Sequence, residues 1–221
     1  MLLNETQTSI CNKALALLGE DPINSLSDTS TKASRCCKQF YDFSLRSVLE
    51  QGKWTFAIIE EPVQRLNEPD YSKEQKYIYQ IPANAALVVG LSKRFSRKKM
   101  IKHLDWDIRY LPEIKERVII CNQLSSTSDD IEQDIDQDEQ IMIEYIAKTD
   151  ETSSYTAMFV RCVAAQLAAD LAMPLTHDQQ KFAAMMQLAE STRAQALMQA
   201  LNEDGQDKEH WVDPITASRG W

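Results

Sequence analysis

Apolar positions near the amino terminus, Ile10, Cys11, Ala14, Leu15, Leu17 and Leu18, recur at the spacing that gathers side chains on one side of a helix. Thr8 is placed to cap its start and Gly19 to end it in a left-handed turn. Asp21-Pro22 then breaks the chain. From about Asp28 a second helical run follows, with Cys36, Phe40, Phe43 and Ser47 on one edge of its stripe, Cys37, Tyr41 and Val48 on the other, and Gly52 closing it. After Lys53 the period changes. The runs Trp54 to Ile59, Lys76 to Ile81, Ala86 to Leu91, Arg117 to Cys121 and Gln140 to Ile146 are short and rich in β-branched or aromatic residues, which predicts strands. Pro62, Pro69, Pro82 and Pro112 stand at or near their ends, where a missing backbone donor does least harm.

Helical period returns in two runs, Ser154 to Ala172 and Thr176 to Leu201. In the first, Phe159, Cys162, Val163, Leu167 and Leu171 form a stripe, and alanines at 164, 165, 168, 169 and 172 let a neighbouring helix come close. Pro174 is expected to end that helix, and Thr176 with Gln179 has the spacing of a capping box. Phe182, Met185, Met186, Ala189, Leu197 and Leu201 mark the face of the last helix. The expected fold class is α+β. Helices over 1–52 and 151–203 would fold back into one bundle, with a β-rich domain inserted over 53–150 and an extended carboxy-terminal arm over 204–221.

A chain of 221 residues with 43% hydrophobic content and five glycines has enough apolar surface for an ordered, helix-rich core. Its net charge of −9 and pI near 4.9 exclude binding of a phosphate backbone through the overall field, which runs on clustered Lys and Arg. No stretch reaches the roughly 18 to 20 uninterrupted apolar residues of a membrane span, and Met1 to Thr8 lacks the order of a signal peptide, so no membrane partner is expected and the chain should stay where it is made. Cys11, Cys36, Cys37, Cys121 and Cys162 are odd in number and contain no C-x-x-C pair, as suits reduced thiols on apolar faces.

Candidate chemistry is sparse. Asp134, Asp136 and Asp138 occupy the first three ligand positions of an EF-hand loop, but Glu139 stands where the turn needs glycine and Tyr145 where a bidentate Glu is required. The acidic stretch 129–139 therefore reads as a solvated connector, and no metal or other cofactor is expected. The basic run Lys93, Arg94, Arg97, Lys98, Lys99 and Lys102 inverts the local charge and is a candidate contact for DNA or an acidic partner on a hairpin. His103, His177 and His210 lie apart from any convincing nucleophile, and no hydrolase, metalloprotease or phosphate-loop pattern occurs, so no catalytic residue is assigned and no enzyme expected. Trp54 and Trp106 read as packing aromatics in the strand region. Trp211 and Trp221 stand in a polar tail with little to shelter them, which favours anchoring in another chain.

Taken in order, the segments Ala14 to Ile23 (A-L-A-L-L-G-E-D-P-I), Trp54-Thr-Phe-Ala, Tyr79-Gln-Ile-Pro-Ala-Asn, Met142-Ile-Glu-Tyr-Ile and Phe159 through Leu171 resemble the head-to-tail adaptor proteins of short-tailed bacteriophages, the tail tubular protein A family. The resemblance implies a non-enzymatic protein of the virion neck, made in the host cytoplasm. It would close into a cyclic homo-oligomer of roughly twelve copies between the portal protein and the tail nozzle protein. Genomic DNA would pass through this channel at ejection without specific binding. The family's carboxy-terminal arm engages the portal, and the matching positions here are Trp211, Val212, Pro214, Ile215, Arg219 and Trp221. The alternative is a soluble nucleic-acid- or calcium-dependent binding module working through Lys93 to Lys102 or through the acidic stretch.

Overall fold

The computed structural model describes residues 5–66, 76–95, 100–122, 139–149 and 151–204. The fold is α+β, and the chain divides into two compact units. One is built from residues up to Phe56 together with those from Thr149 onward, and the other is the continuous stretch Ala57–Lys148.

The described part of the first unit holds helices α1 (Gln7–Leu18), α2 (Lys32–Leu49), α3 (Ala157–Thr176) and α4 (Gln179–Asp204). Helix α1 begins two residues before the expected place. Thr6, not Thr8, is extended at φ −116°, and its hydroxyl accepts the Ser9 amide at 3.1 Å while the Ser9 hydroxyl accepts the Thr6 amide at 3.2 Å. Gly19 ends the helix at φ 75°. The chain then returns past Asp21-Pro22 under a two-point clamp: the Asn12 side chain accepts the Ile23 amide at 2.8 Å and donates to the Ile23 carbonyl at 3.0 Å.

Helix α2 buries Ser34, Cys37, Tyr41, Ser44, Leu45, Val48 and Leu49, so its core face lies on the Cys37 side of the expected stripe. On the other edge Phe43 is 65% exposed, while Cys36, Phe40 and Ser47 are partly buried. The helix ends at Leu49 with Glu50 still right-handed, so Gly52 does not close it. Gly52 serves a close approach instead: a Cβ there would stand 2.1 Å from Leu197 Cδ2 of α4.

Helix α3 is the centre of this unit, with α1, α2 and α4 all packed on it. It is long and apolar enough to cross a membrane by composition, with a mean hydropathy of 1.4, yet 61% of that window is buried within the protein. Its alanines do what their size predicts, since Ala165 and Ala169 cluster with Ala189 of α4, with Met185 and Leu188 packed against them. Pro174 lies inside the helix and does not end it. In the last turn the ring deprives only the Asp170 carbonyl of its helical donor, and two further residues fit before His177 turns left-handed at φ 52°. His177 is thus the carboxy-terminal cap of α3 and not part of α4. The amino-terminal cap of α4 is Asp178, whose Oδ1 accepts the Gln180 amide at 2.8 Å and the Lys181 amide at 3.2 Å, while Thr176 spends its hydroxyl on the Ala172 carbonyl.

Trp54, expected among the strands, belongs to the helical unit. Its Nε1 donates to the Val48 carbonyl at 3.0 Å, and its ring meets Phe159 edge to face at 4.8 Å, with Phe56 and Tyr155 each also within 6 Å of Phe159. Residues Thr55–Ala57 form a 3-10 turn, so the first strand starts only at Ile58.

The described part of the second unit forms a pair of four-stranded antiparallel sheets. Strands β1 (Ile58–Pro62), β8 (Glu139–Ala147), β4 (Ala85–Phe95) and β5 (Met100–His103) form one in that order. Strands β2 (Arg65–Leu66), β3 (Lys76–Gln80), β7 (Glu116–Asn122) and β6 (Trp106–Leu111) form the other. Val88, Leu91, Ile143 and Tyr145 of the first sheet pack with Tyr79, Ile119 and Cys121 of the second in one core. The opposite face of the second sheet carries Ile78, Val118 and Ile120, which cluster with Leu111. Strand β7 is apolar on both sides, which explains why its run Val118-Ile-Ile-Cys does not alternate.

Candidate functional site

The structure separates the residues singled out from sequence. Trp211, Val212, Pro214, Ile215, Arg219 and Trp221 lie outside the described residues, as do Arg97, Lys98, Lys99, His210 and the acidic positions 129–138. Of the basic run, Lys93 and Arg94 are on β4 and Lys102 is on β5, with Lys93 directly opposite Lys102 in the register. Arg94 reaches across β8 to β1, where it forms an ion pair with Glu60. His103 is exposed on β5, and His177 stands with its Nε2 3.3 Å from Lys32 Nζ.

Each unit carries a concave surface among its described residues. In the β unit a cleft of about 510 Å³ is bordered by Glu61, Gln64, Gln80, Glu116 and Arg117. At its edge Tyr145 Oη donates to Glu61 Oε1 at 3.1 Å and lies 3.2 Å from Asn84 Oδ1. Burial raises the Tyr145 hydroxyl above its ordinary pKa, so this group donates and does not ionise at neutral pH. In the helical unit an apolar groove of about 360 Å³ runs between α1, α3 and α4. Glu5 and Lys13 close one end as an ion pair at 2.5 Å, and that hydrogen bond, with a second from Ser9, holds the Glu5 carboxyl below the usual carboxylate range.

Among the described residues no three His, Cys, Asp or Glu side chains gather as metal ligands. All five cysteines are free thiols, four of them buried. The hydrogen bond with Cys37, and then burial, push the Cys11 thiol well above its ordinary range; burial, joined by the charge of Asp105, takes Cys121 up to about 11, and burial takes Cys162 to about 11 against the opposing charge of Arg193. Such thiols are poor nucleophiles.

Two features escaped the sequence reading. Asp170 of α3 is half-buried, accepting Ser44 Oγ of α2 at 2.5 Å and Gln166 Nε2 at 3.2 Å, and burial lifts its carboxyl above the usual range. The other is the outward side of α4. Between Ala183 and Ala200 only Glu190 and Arg193 carry charge, and Arg193 reaches Gln51 Oε1 at 2.9 Å. Ala183, Ala184, Gln187, Ser191, Ala194, Gln195 and Met198 are exposed, Met198 at 69%. The signal was the scarcity of charge in a chain that is 26% charged overall.

Scans against protein-family models and against curated proteins returned no match to this chain.

Proposed function

We propose that the chain is a structural virion protein, a ring-forming head-to-tail adaptor of a short-tailed bacteriophage that joins the portal to the tail nozzle and forms part of the DNA ejection channel. In this reading the helices from both ends of the chain make a bundle that carries the inserted β unit. The residues beyond Asp204 are an arm that latches to the portal through Trp211, Ile215 and Trp221. No bond is made or broken.

The observation that carries the reading is the outward side of α4. A solvated helix in a protein of this composition should alternate acids and bases along its free face, whereas between Ala183 and Ala200 this one offers mostly alanine, glutamine and methionine, over about 27 Å at 1.5 Å per residue. Phe43, at 65% exposure, adds apolar surface on α2. Closing a ring needs such surface, because each copy must bury two different patches on its two neighbours. The order of the segments from Ala14 to Leu171 supports the same assignment through family resemblance.

Mixing purified protein with purified portal and imaging the particles tests it. The expected result is a ring of added density on one face of the portal, lost with a chain ending at Asn202 that still melts near the intact protein. Absence of any association, or virion images placing the protein away from the neck, would overturn the assignment.

A further inference from the structure

Cys11 stands in the buried stripe of α1 and Cys37 on the core face of α2, and both side chains are fully buried. The two helices touch, and the two thiols are hydrogen-bonded to each other. That bond is directional. It pushes the Cys11 thiol up, as its donor, and holds the Cys37 thiol below its ordinary range against the opposing effect of burial, as its acceptor. A sulfur poised to ionise, with a second protonated sulfur against it, is the arrangement of one thiol that is oxidised first and another that resolves it. We propose that Cys11 and Cys37 are a modification site, closing under peroxide into a reversible disulfide that staples α1 to α2.

The chemistry balances with hydrogen peroxide as the sole oxidant. The Cys37 thiolate attacks one peroxide oxygen, the O–O bond breaks, and the departing hydroxide takes up a proton as water, leaving a sulfenic acid on Cys37. The Cys11 sulfur then attacks the Cys37 sulfur, its proton and the sulfenic hydroxyl depart as a second water, and the S–S bond forms. Two thiols lose two electrons and peroxide gains them. Burial sets the rate: peroxide reaches the pair when α1 lifts from α2, and the Thr6 cap holds the start of α1 against such opening. The bond would close a loop of 25 intervening residues, 12–36, already tied once by the Asn12 clamp on Ile23. Cys36, partly buried on the other edge of α2, is the competing thiol. A reducing cytoplasm keeps such a pair as thiols and an oxidising exterior does not, so in an adaptor the staple would set after release of the virion. The staple itself needs only the isolated chain and stands apart from that reading.

The test exposes the full-length Cys36→Ser chain to hydrogen peroxide without denaturant, blocks the remaining thiols by alkylation, and maps the unreduced digest by mass spectrometry. The expected product is a cross-link from Cys11 to Cys37, two hydrogens lighter than the separate peptides and undone by dithiothreitol. Closing a loop of this length should raise the melting temperature by about 6 to 12 °C, a gain lost on reduction. Cys11→Ser should stop at a Cys37 sulfenic acid that dimedone labels, whereas Cys37→Ser should leave Cys11 unlabelled. Thr6→Ala, which weakens the cap of α1, should speed cross-linking about fivefold by raising the opened fraction. Cross-linking that appears only in urea, a preferred bond to another cysteine, a fall in melting temperature on oxidation, or a rate indifferent to Thr6→Ala would each overturn the proposal. Should either single cysteine variant lose its cooperative melt, the cross-link map and the reversible thermal shift of the Cys36→Ser chain decide alone.

Discussion

Replacing Gly52 by alanine probes the closest approach in the helical unit. The added methyl would lie 2.1 Å from Leu197 Cδ2 and 3.4 Å from Trp54 Cε2, whereas carbon atoms settle at about 3.5 to 4.0 Å. Leu197 must therefore swing aside by more than an ångström. Overpacking of this kind costs about 1 to 3 kcal/mol. Removing a glycine from the unfolded chain returns about 0.4 to 1 kcal/mol, leaving a net loss of about 1 kcal/mol. For a chain of this length that is about 2 to 4 °C in melting temperature. Thermal unfolding followed by far-UV circular dichroism reads it. The sharper assay is a double-mutant cycle, because in a Leu197→Ala background the methyl has no clash to meet and only the entropic gain remains. Gly52→Ala should then become neutral or stabilising. A cost that is the same in both backgrounds would refute the account.

Asp170→Asn keeps an acceptor for Ser44 Oγ, and Gln166 can rotate its amide to suit. The folded pKa of Asp170 lies above its unfolded value, so the native state holds the proton more tightly and its contribution fades as pH rises from the ordinary carboxyl range through the raised value. The asparagine variant should match or exceed the parent in urea melts at pH 7 and lose that advantage in acid. Thr6→Ala should cost about 1 kcal/mol as the lost cap of α1, while Thr8→Ala should be nearly silent in the same measurement. Met198→Glu, at a position 69% exposed, should leave the melting temperature unchanged and abolish ring density on portal in micrographs.

Helix stripes and apolar strand runs were legible because burial imposes their period, as Ile10 to Leu18 and Arg117 to Cys121 illustrate. Helix ends were less so. Thr6 and Thr8, or Thr176 and Asp178, are equally good caps by composition, and the extended backbone that decides between them is set by the preceding chain. Strand β6 escaped notice because Asp107 and Arg109 alternate with its apolar residues on an edge strand. Trp54 was misplaced because a strand-like neighbourhood in sequence does not reveal that its indole caps the Val48 carbonyl of a helix. At the candidate interface, Met185 and Ala189 of the expected face do pack on α3, whereas Met186 is exposed and the free side is marked only by missing charge.

The strands that open and close the β unit are bonded to each other, with Ile58 opposite Ile146. Neighbouring strands lie about 5 Å apart, so the polypeptide departs the helical unit and comes back to it through what is nearly a single doorway. Whatever hangs beyond that doorway is a cassette. Its loops can lengthen, or the whole be exchanged for another hairpin-closed module, while the helices on either side are asked to bridge only one short gap.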